Sequence, residues 1–402
     1  MEEKNNIDYK KMMADKWLFL IVITLMAIGL VFSYSLPVYL EMKKGWDEFH
    51  FFNRFLMFSI MGTIIMYILS QCNPDKCISK IGWTLFVLGG LAIFLMPTPI
   101  LAPYCPAIKG AKRWIKVFGF SIAPIEFFKI GLIYFFAWSF SRKLLPKYFD
   151  TIKEEFLAII PYLAVLGFVA IYVVIFQSDL GETLLILMVF LVMLTFTKVS
   201  PQLFAGLLAA GIVIFIIGVF QKTYRLERIK SSLYNLYLML PDWAQNFFNI
   251  SISSSDISYQ IRQSINAIHN GGLTGVGIGN GELKLGFLSD VHTDFVLAGI
   301  AEEIGFLGVL GIMILFIILI WRILRIANRI VIKENKDYIL KLFTSGIAIL
   351  ISIETILNIM GIIGLFPLKG LPIPFVSYGG SSIIAFSIAM GMVLMISKKA
   401  DL

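Results

Sequence analysis

Residues 122–140 read IAPIEFFKIGLIYFFAWSF, an apolar stretch long enough to cross a bilayer, with Glu126 and Lys129 set inside it. A membrane-crossing helix needs about 20 predominantly apolar residues. An ionisable group at that depth costs about 3 kcal/mol or more, so it faces a protein interior or a wet cavity rather than lipid. Working outward, comparable spans are expected near 17–40, 51–70, 80–101, 156–176, 183–197, 202–220, 294–321, 339–364 and 381–397. Arg54 interrupts the second span, and Glu302, Glu303 and Glu354 fall inside later ones. The fold class that follows is an all-α membrane protein, a polytopic bundle of about ten transmembrane helices with a polar interior.

The composition agrees. At 402 residues, 58% hydrophobic and 15% charged, the chain lies outside the usual range for soluble domains. Its net charge of +8 is not gathered into a basic block, which argues against nucleic acid as a partner. About 19 Lys and Arg fall in or beside short loops on one side of the expected bundle and about 8 on the other, which predicts both termini in the cytoplasm. Cys72, Cys77 and Cys105 form neither a metal-ligand spacing nor an even disulfide framework. The first span lacks a small-residue cleavage site and is expected to stay as a helix.

One domain is expected over 1–402, with a single long extracytoplasmic loop at 221–290. Leu233 to Leu240 and Tyr259 to His269 read as amphipathic helices inside it, separated by the Ser-rich stretch Ser251 to Ser255. A Gly-rich run, Gly271 to Gly286, follows no strand and opens no βαβ unit, so its signal as a nucleotide loop is weak. Loops of this length are commonly functional.

Several residues outside or inside the spans could carry chemistry. Lys112 and Arg113 beside Trp114 suit a phosphate-bearing headgroup, although the same trio also suits an ordinary interfacial anchor. Glu126 and Lys129 are three apart on one helix and can pair, as a structural bridge or as part of a site. Asp179 sits in a tight turn, where it could cap the next helix or orient a cation. His292 and Asp294 are two potential ligands, too few for a metal site. Asp256 is a loop acid after a Ser-rich run, a position more often solvated than catalytic. Residues 367–382 are too rich in Pro and Gly for a regular helix, as expected of backbone lining a cavity.

In order along the chain stand GAKRW at 110–114, PIEFFK at 124–129, QSDLG at 177–181, YQIRQS at 259–264, GGLTGVGIG at 271–279, HTDFVLAGIAEEIG at 292–305 and PLKGLPIPFVSYGGSS at 367–382. This series resembles the SEDS family, named for shape, elongation, division and sporulation. The resemblance implies a peptidoglycan glycosyltransferase of the bacterial cytoplasmic (inner) membrane that polymerises lipid II at its outer face. It implies a class B penicillin-binding protein and other divisome membrane proteins as partners. Lys-Gly-Leu at 369–371 and the opening of the first span resemble the division branch, Pro-Ile-Pro-Phe at 372–375 and Ala-Lys-Arg-Trp at 111–114 the elongation branch; septal synthesis is the expectation and elongation the alternative.

The resemblance also implies roles for individual residues. Asp256 would be the catalytic base, although the family's Asp usually lies six residues before the helix aromatic, where this chain has Ser253. Lys112, Arg113, Glu126, Lys129, Asp179, Gln263, Ser264, His292, Asp294, Lys369, Ser377 and Tyr378 would bind substrate. A divalent cation, Mg or Mn, could share the stabilisation of the leaving diphosphate, but no dedicated metal cage is legible. A flippase for lipid-linked precursors and a non-catalytic scaffold are the competing classes.

Overall fold

The structure is a computed structural model and describes residues 14–107, 112–117, 119–145, 150–197, 199–220, 223–239, 259–366 and 370–400. It is a helical bundle whose sole described sheet is the small hairpin β1 (Ile115–Val117) and β2 (Phe120–Ile122). The helices are α1 (Lys16–Ser35), α2 (Val38–Lys44), α3 (His50–Ser70), α4 (Pro74–Leu95) and α5 (Pro124–Lys143). They continue as α6 (Ile152–Tyr172), α7 (Leu180–Leu194), α8 (Pro201–Phe220) and α9 (Thr223–Met239). The last four are α10 (Tyr259–Gly271), α11 (Val296–Arg329), α12 (Asn335–Ile362) and α13 (Gly380–Ser397).

Eight described helices are long and apolar enough to cross a membrane. Two more, α5 and α7, fall short of that standard for visible reasons. The first turn and a half of α5 holds Glu126 and Lys129, and its end holds Arg142 and Lys143. Helix α7 has only 15 residues. Both are packed inside the bundle beside those eight. The bounds differ from expectation where polar residues extend a helix past its apolar core. Helix α4 starts at Pro74, because Asn73 caps it by accepting from the Asp75 N–H. Helix α11 runs on to Arg329, and the first expected span divides into α1 and the short α2.

The bundle has two faces. Both ends of the described chain meet on one, the termini face, where the Asp15 N–H donates to Ser397 Oγ at 3.1 Å and Ile330 forms an antiparallel bridge with Ala400. On the opposite loop face lie the starts of α5, α7, α11 and α13 and the end of α12. Helices α12 and α13 are buried along most of their length, whereas α8 is exposed along almost all of its own. Close approach of α4 and α5 depends on Gly131, where a Cβ would meet the Phe86 backbone N at 2.2 Å. Small residues at such contacts let membrane helices pack backbone to backbone.

One long helix is broken. Gly305 in α11 has φ 70° and ψ −176°, a conformation essentially reserved for glycine. The Gly-rich segment plugs into that break. Val276 and Gly277 N–H groups donate to the Glu302 and Glu303 carbonyls, and Phe306 and Leu307 N–H groups donate to those of Gly272 and Leu273. Side chains secure the same join. Lys284 Nζ lies 2.6 Å from Glu303 Oε1, and Ser35 Oγ from α1 donates to the same carboxylate. Glu302 accepts from Asn270 Nδ2 and from the N–H groups of Glu282 and Leu283. The two acids of the eighth span therefore hold the long loop's second half against the bundle.

Candidate functional site

Beneath the loop face, charge is concentrated. Proline at the first position of α5 places Glu126 and Lys129 on the inward side of its opening turns. Lys129 Nζ lies 3.1 Å from Glu126 Oε2, 3.2 Å from Glu182 Oε2 on α7 and 3.3 Å from Glu354 Oε1 on α12. All four residues are buried, and carboxylate oxygens of the three acids lie within 4.8 Å of one another. Three carboxylates thus face one ammonium. Such groups are costly to bury unless paired, so the helices that carry them are tied together at this point.

A second layer sits nearer the loop face. Residues Val173–Gln177 form a π-helical turn at the end of α6, and Ser178 follows in the left-handed region at φ 52°. That geometry delivers Asp179 to the N-cap of α7, where it accepts from the Glu182 N–H at 3.1 Å. Arg113 Nη1 pairs with Asp179 Oδ2 at 2.9 Å, while Nε donates to the Gln177 carbonyl and Nη2 to that of Ser178. The Arg113 side chain keeps 25% of its surface exposed, whereas Asp179 keeps 7%. The guanidinium is therefore held from below while still reaching the face.

The Pro- and Gly-rich segment closes the layer. Gly370, at φ +96°, lies between Arg113 and Asp294; a Cβ there would be 3.4 Å from Arg113 Nη1 and 3.9 Å from Asp294 Oδ2. Asn358, one turn beyond Glu354 on α12, donates to the carbonyls of Asp294 and Leu371. A cavity of about 20 Å³, enough for a water molecule, opens among Asp294, Asn358 and Gly370. Arg113, Asp179, Glu182, Lys129, Glu354, Asn358 and Asp294 thus neighbour one another as a polar circuit where α5, α7, α11 and α12 meet, bonded from Arg113 to Glu354 and, a turn further along α12, from Asn358 to the Asp294 carbonyl. Alongside it, Ser377 Oγ donates to the Thr293 carbonyl, and the Tyr378 N–H donates to that of His292. The rings of Phe51, His292 and Tyr378 pack together, with centroids 4.8 to 5.9 Å apart. Burial pushes the Tyr378 hydroxyl up from its ordinary value, and the charge and hydrogen bond of Arg54 hold part of that rise back.

This circuit is built from GAKRW, PIEFFK, QSDLG, HTDF and the 367–382 segment, and the profile of the FtsW, RodA and SpoVE cell cycle proteins matches residues 15–402. The chain belongs to this family. Among its relatives is a protein of Helicobacter pylori strain J99 named probable peptidoglycan glycosyltransferase FtsW. It is 42% identical over 395 residues, covering 96% of this chain and 99% of the relative. A protein of the same name from Trichlorobacter lovleyi is 33% identical, covering 95% and 93%. Of solved structures, the fold resembles a chain of a peptidoglycan synthase complex, with TM-score 0.67, 23% identity and coverage of 96% and 97%. It also resembles the rod shape determining protein RodA of Thermus thermophilus, with TM-score 0.61, 21% identity and coverage of 97% and 98%.

Of the residues singled out in the family motifs, Arg113, Glu126, Lys129, Asp179 and Asp294 come together in the circuit, with His292, Ser377 and Tyr378 beside it. Asp179 fulfils both of its readings, cap and ion-pair partner. Lys112 is half-buried near Cys105, whose thiol burial pushes up and whose rise the Lys112 charge opposes. Gln263 and Ser264 lie on α10, which packs against α11; Gln263 accepts from Asn266, and Ser264 is buried. No described contact joins those two to the circuit. Asp256 and Lys369 lie outside the described residues. Residues that the motifs did not single out are Glu182, Glu354, Asn358 and Gly370. Glu354 was marked only as an acid at membrane depth; Glu182 falls one residue before the span expected at 183–197.

Proposed function

We propose that this chain polymerises lipid II as a peptidoglycan glycosyltransferase at the outer face of the cytoplasmic membrane, in septal cell-wall synthesis. The observation that carries the reading is Arg113. Its guanidinium is fixed by Asp179 at the rim of a buried charged circuit, within a chain that matches glycosyltransferase-named relatives from end to end. The loop face is then the outer one and both termini are cytoplasmic, in keeping with the excess of Lys and Arg in loops of the termini face.

In this reaction a sugar hydroxyl of the acceptor bonds to the anomeric carbon of the donor. The bond from that carbon to the undecaprenyl diphosphate breaks, inverting the centre. Asp256 takes the hydroxyl proton, a role that contributes about 10²–10⁴-fold in rate. Arg113 stabilises the negative charge that develops on the departing diphosphate, with Lys112 and Lys369 as further cations. Asp179, Gln177 and Ser178 take three of the five Arg113 N–H donors, which leaves one on each terminal nitrogen, held in place, for phosphate oxygens. The Glu126, Glu182 and Glu354 cluster does not fit a divalent cation, because the Lys129 ammonium already sits among all three carboxylates.

A class B penicillin-binding protein that cross-links the product strands is the proposed partner. The deciding assay is polymerisation of lipid II by the purified chain together with its cognate class B synthase. Glycan strands from wild type, and none from folded Asp256→Asn, support the reading and its base. Strands from both variants remove Asp256 from the mechanism; lipid II translocation without strands, in the same assay, replaces the polymerase with a flippase.

A further inference from the structure

At the termini face a second feature lies away from the charged circuit. A groove of about 420 Å³ runs between α1 and α11, lined by Trp17, Leu20, Ile21, Thr24, Leu315, Ile318, Trp321 and Arg322. Along α1 the lining falls at i, i+3, i+4 and i+7, a single helix stripe extending about 10 Å. The stripe is not covered by the protein: Trp17 is 65% exposed, Leu20 and Trp321 are each 54% exposed, and Ile318 is 40% exposed. Thr24 does not make the wall polar, since its hydroxyl donates to the Leu20 carbonyl at 3.0 Å.

The mouth of the groove is basic. Arg322 Nε donates to Asp15 at 2.6 Å, leaving further guanidinium N–H donors beyond that pair. Arg325, one turn towards the helix end, stacks its guanidinium 5.3 Å above the Trp321 ring, and Lys16 is exposed at the start of α1. These are three cations against one carboxylate. The groove therefore grades from a cationic, tryptophan-flanked mouth to a wholly apolar trough. Tryptophan and basic residues mark the headgroup level of a bilayer, with hydrocarbon beyond.

We propose that this groove is a binding site for an anionic phospholipid, with one acyl chain in the trough and the phosphate at Arg322, Arg325 and Lys16. The shape favours a flexible chain. Helices α1 and α11 pack against each other, so the crease between them is narrower than a second helix, which measures about 10–12 Å across with its side chains. The charge favours an anionic headgroup over a zwitterionic one.

The test uses the full chain reconstituted in phosphatidylcholine vesicles and read by tryptophan fluorescence. Phosphatidylglycerol or phosphatidylcholine with brominated acyl chains is added, since bromine quenches tryptophan on contact. The component due to Trp17 and Trp321 is the difference between wild type and the Trp17→Phe, Trp321→Phe double variant. Brominated phosphatidylglycerol is expected to quench that component at a several-fold lower mole fraction than brominated phosphatidylcholine. The Lys16→Gln, Arg325→Gln double variant, which spares the Asp15–Arg322 pair, is expected to abolish the preference but keep quenching by phosphatidylcholine. Salt is expected to weaken it in wild type. Equal quenching by both lipids overturns the proposal, as does a preference that survives in the Gln variant. An absence of quenching by either lipid, as when a protein segment fills the crease, overturns it as well.

Discussion

Lys129 is the residue on which the charged circuit turns, because three buried carboxylates have their cation in it. Removing one partner of a buried ion pair costs about 3–5 kcal/mol, whereas neutralising a surplus charge can be neutral or stabilising. Lys129→Met is therefore expected to lower the melting temperature of the purified protein sharply. Glu354→Gln, which keeps the shape and leaves two acids facing Lys129, is expected to leave it unchanged or raise it. Equal losses in the two variants would show that the cluster's charge balance is not what matters. Arg113→Lys tests the rim: it keeps the charge but loses the fork, so polymerisation should fall with little change in melting temperature. Glu126 and Lys129 were legible as a pair because their spacing of three fixes a shared helix face. Glu182 and Glu354 were not, since they reach Lys129 from 53 and 225 residues away, which no local pattern encodes.

At the scale of elements, the join between the Gly-rich segment and α11 is made by backbone on both sides. A Cβ on Gly305 would lie 2.4 Å from the Gly275 N and 2.5 Å from the Leu273 carbonyl. Gly305→Ala is thus expected to combine a backbone strain of about 1–3 kcal/mol with a steric clash. Hydrogen exchange at Val276, Gly277, Phe306 and Leu307 should speed up in that variant while α3 and α13 stay protected. Uniform exchange across the whole chain would point instead to global unfolding. The sequence marks the run from Gly271 as Gly-rich and weak as a nucleotide loop. It does not show the break at Gly305, because a lone Gly beside two acids in an otherwise apolar span is equally compatible with an unbroken helix. The partner of the loop is equally invisible locally, since Lys284 meets Ser35 across 249 residues.

Across the whole molecule, the apolar spans were readable from the sequence, eight of them as described helices long enough to cross a membrane, and their neighbours were not. Closure of the termini face depends on contacts between distant parts of the chain. Lys399 Nζ lies 2.5 Å from Asp75 and 3.0 Å from Asp337, joining the end of the chain to α4 and α12. Burial pulls the Lys399 ammonium down, but its hydrogen bonds to Asp75 and Asp337 outweigh this and hold it above the usual 10.5. A raised lysine contributes stability fully below its ordinary value and loses it as pH rises through the folded-state value. The melting-temperature loss in Lys399→Ala should therefore be the same at pH 6 and pH 8, reflecting on the order of 1 kcal/mol, and should shrink only in the alkaline range above 10.5. A loss that changed between pH 6 and pH 8 would assign the contribution to another group. Helix α12 carries Asp337 in this closure and Asn358 in the circuit, 21 residues and about 31 Å apart along one rod. A rod pinned at both ends fixes the height of the bundle's centre close to the roughly 30 Å of bilayer hydrocarbon. In a thinner or thicker membrane the adjustment must fall on helices free to lean, chiefly the lipid-facing α8. Bilayer thickness should therefore tilt the rim of this protein while its interior keeps its dimensions.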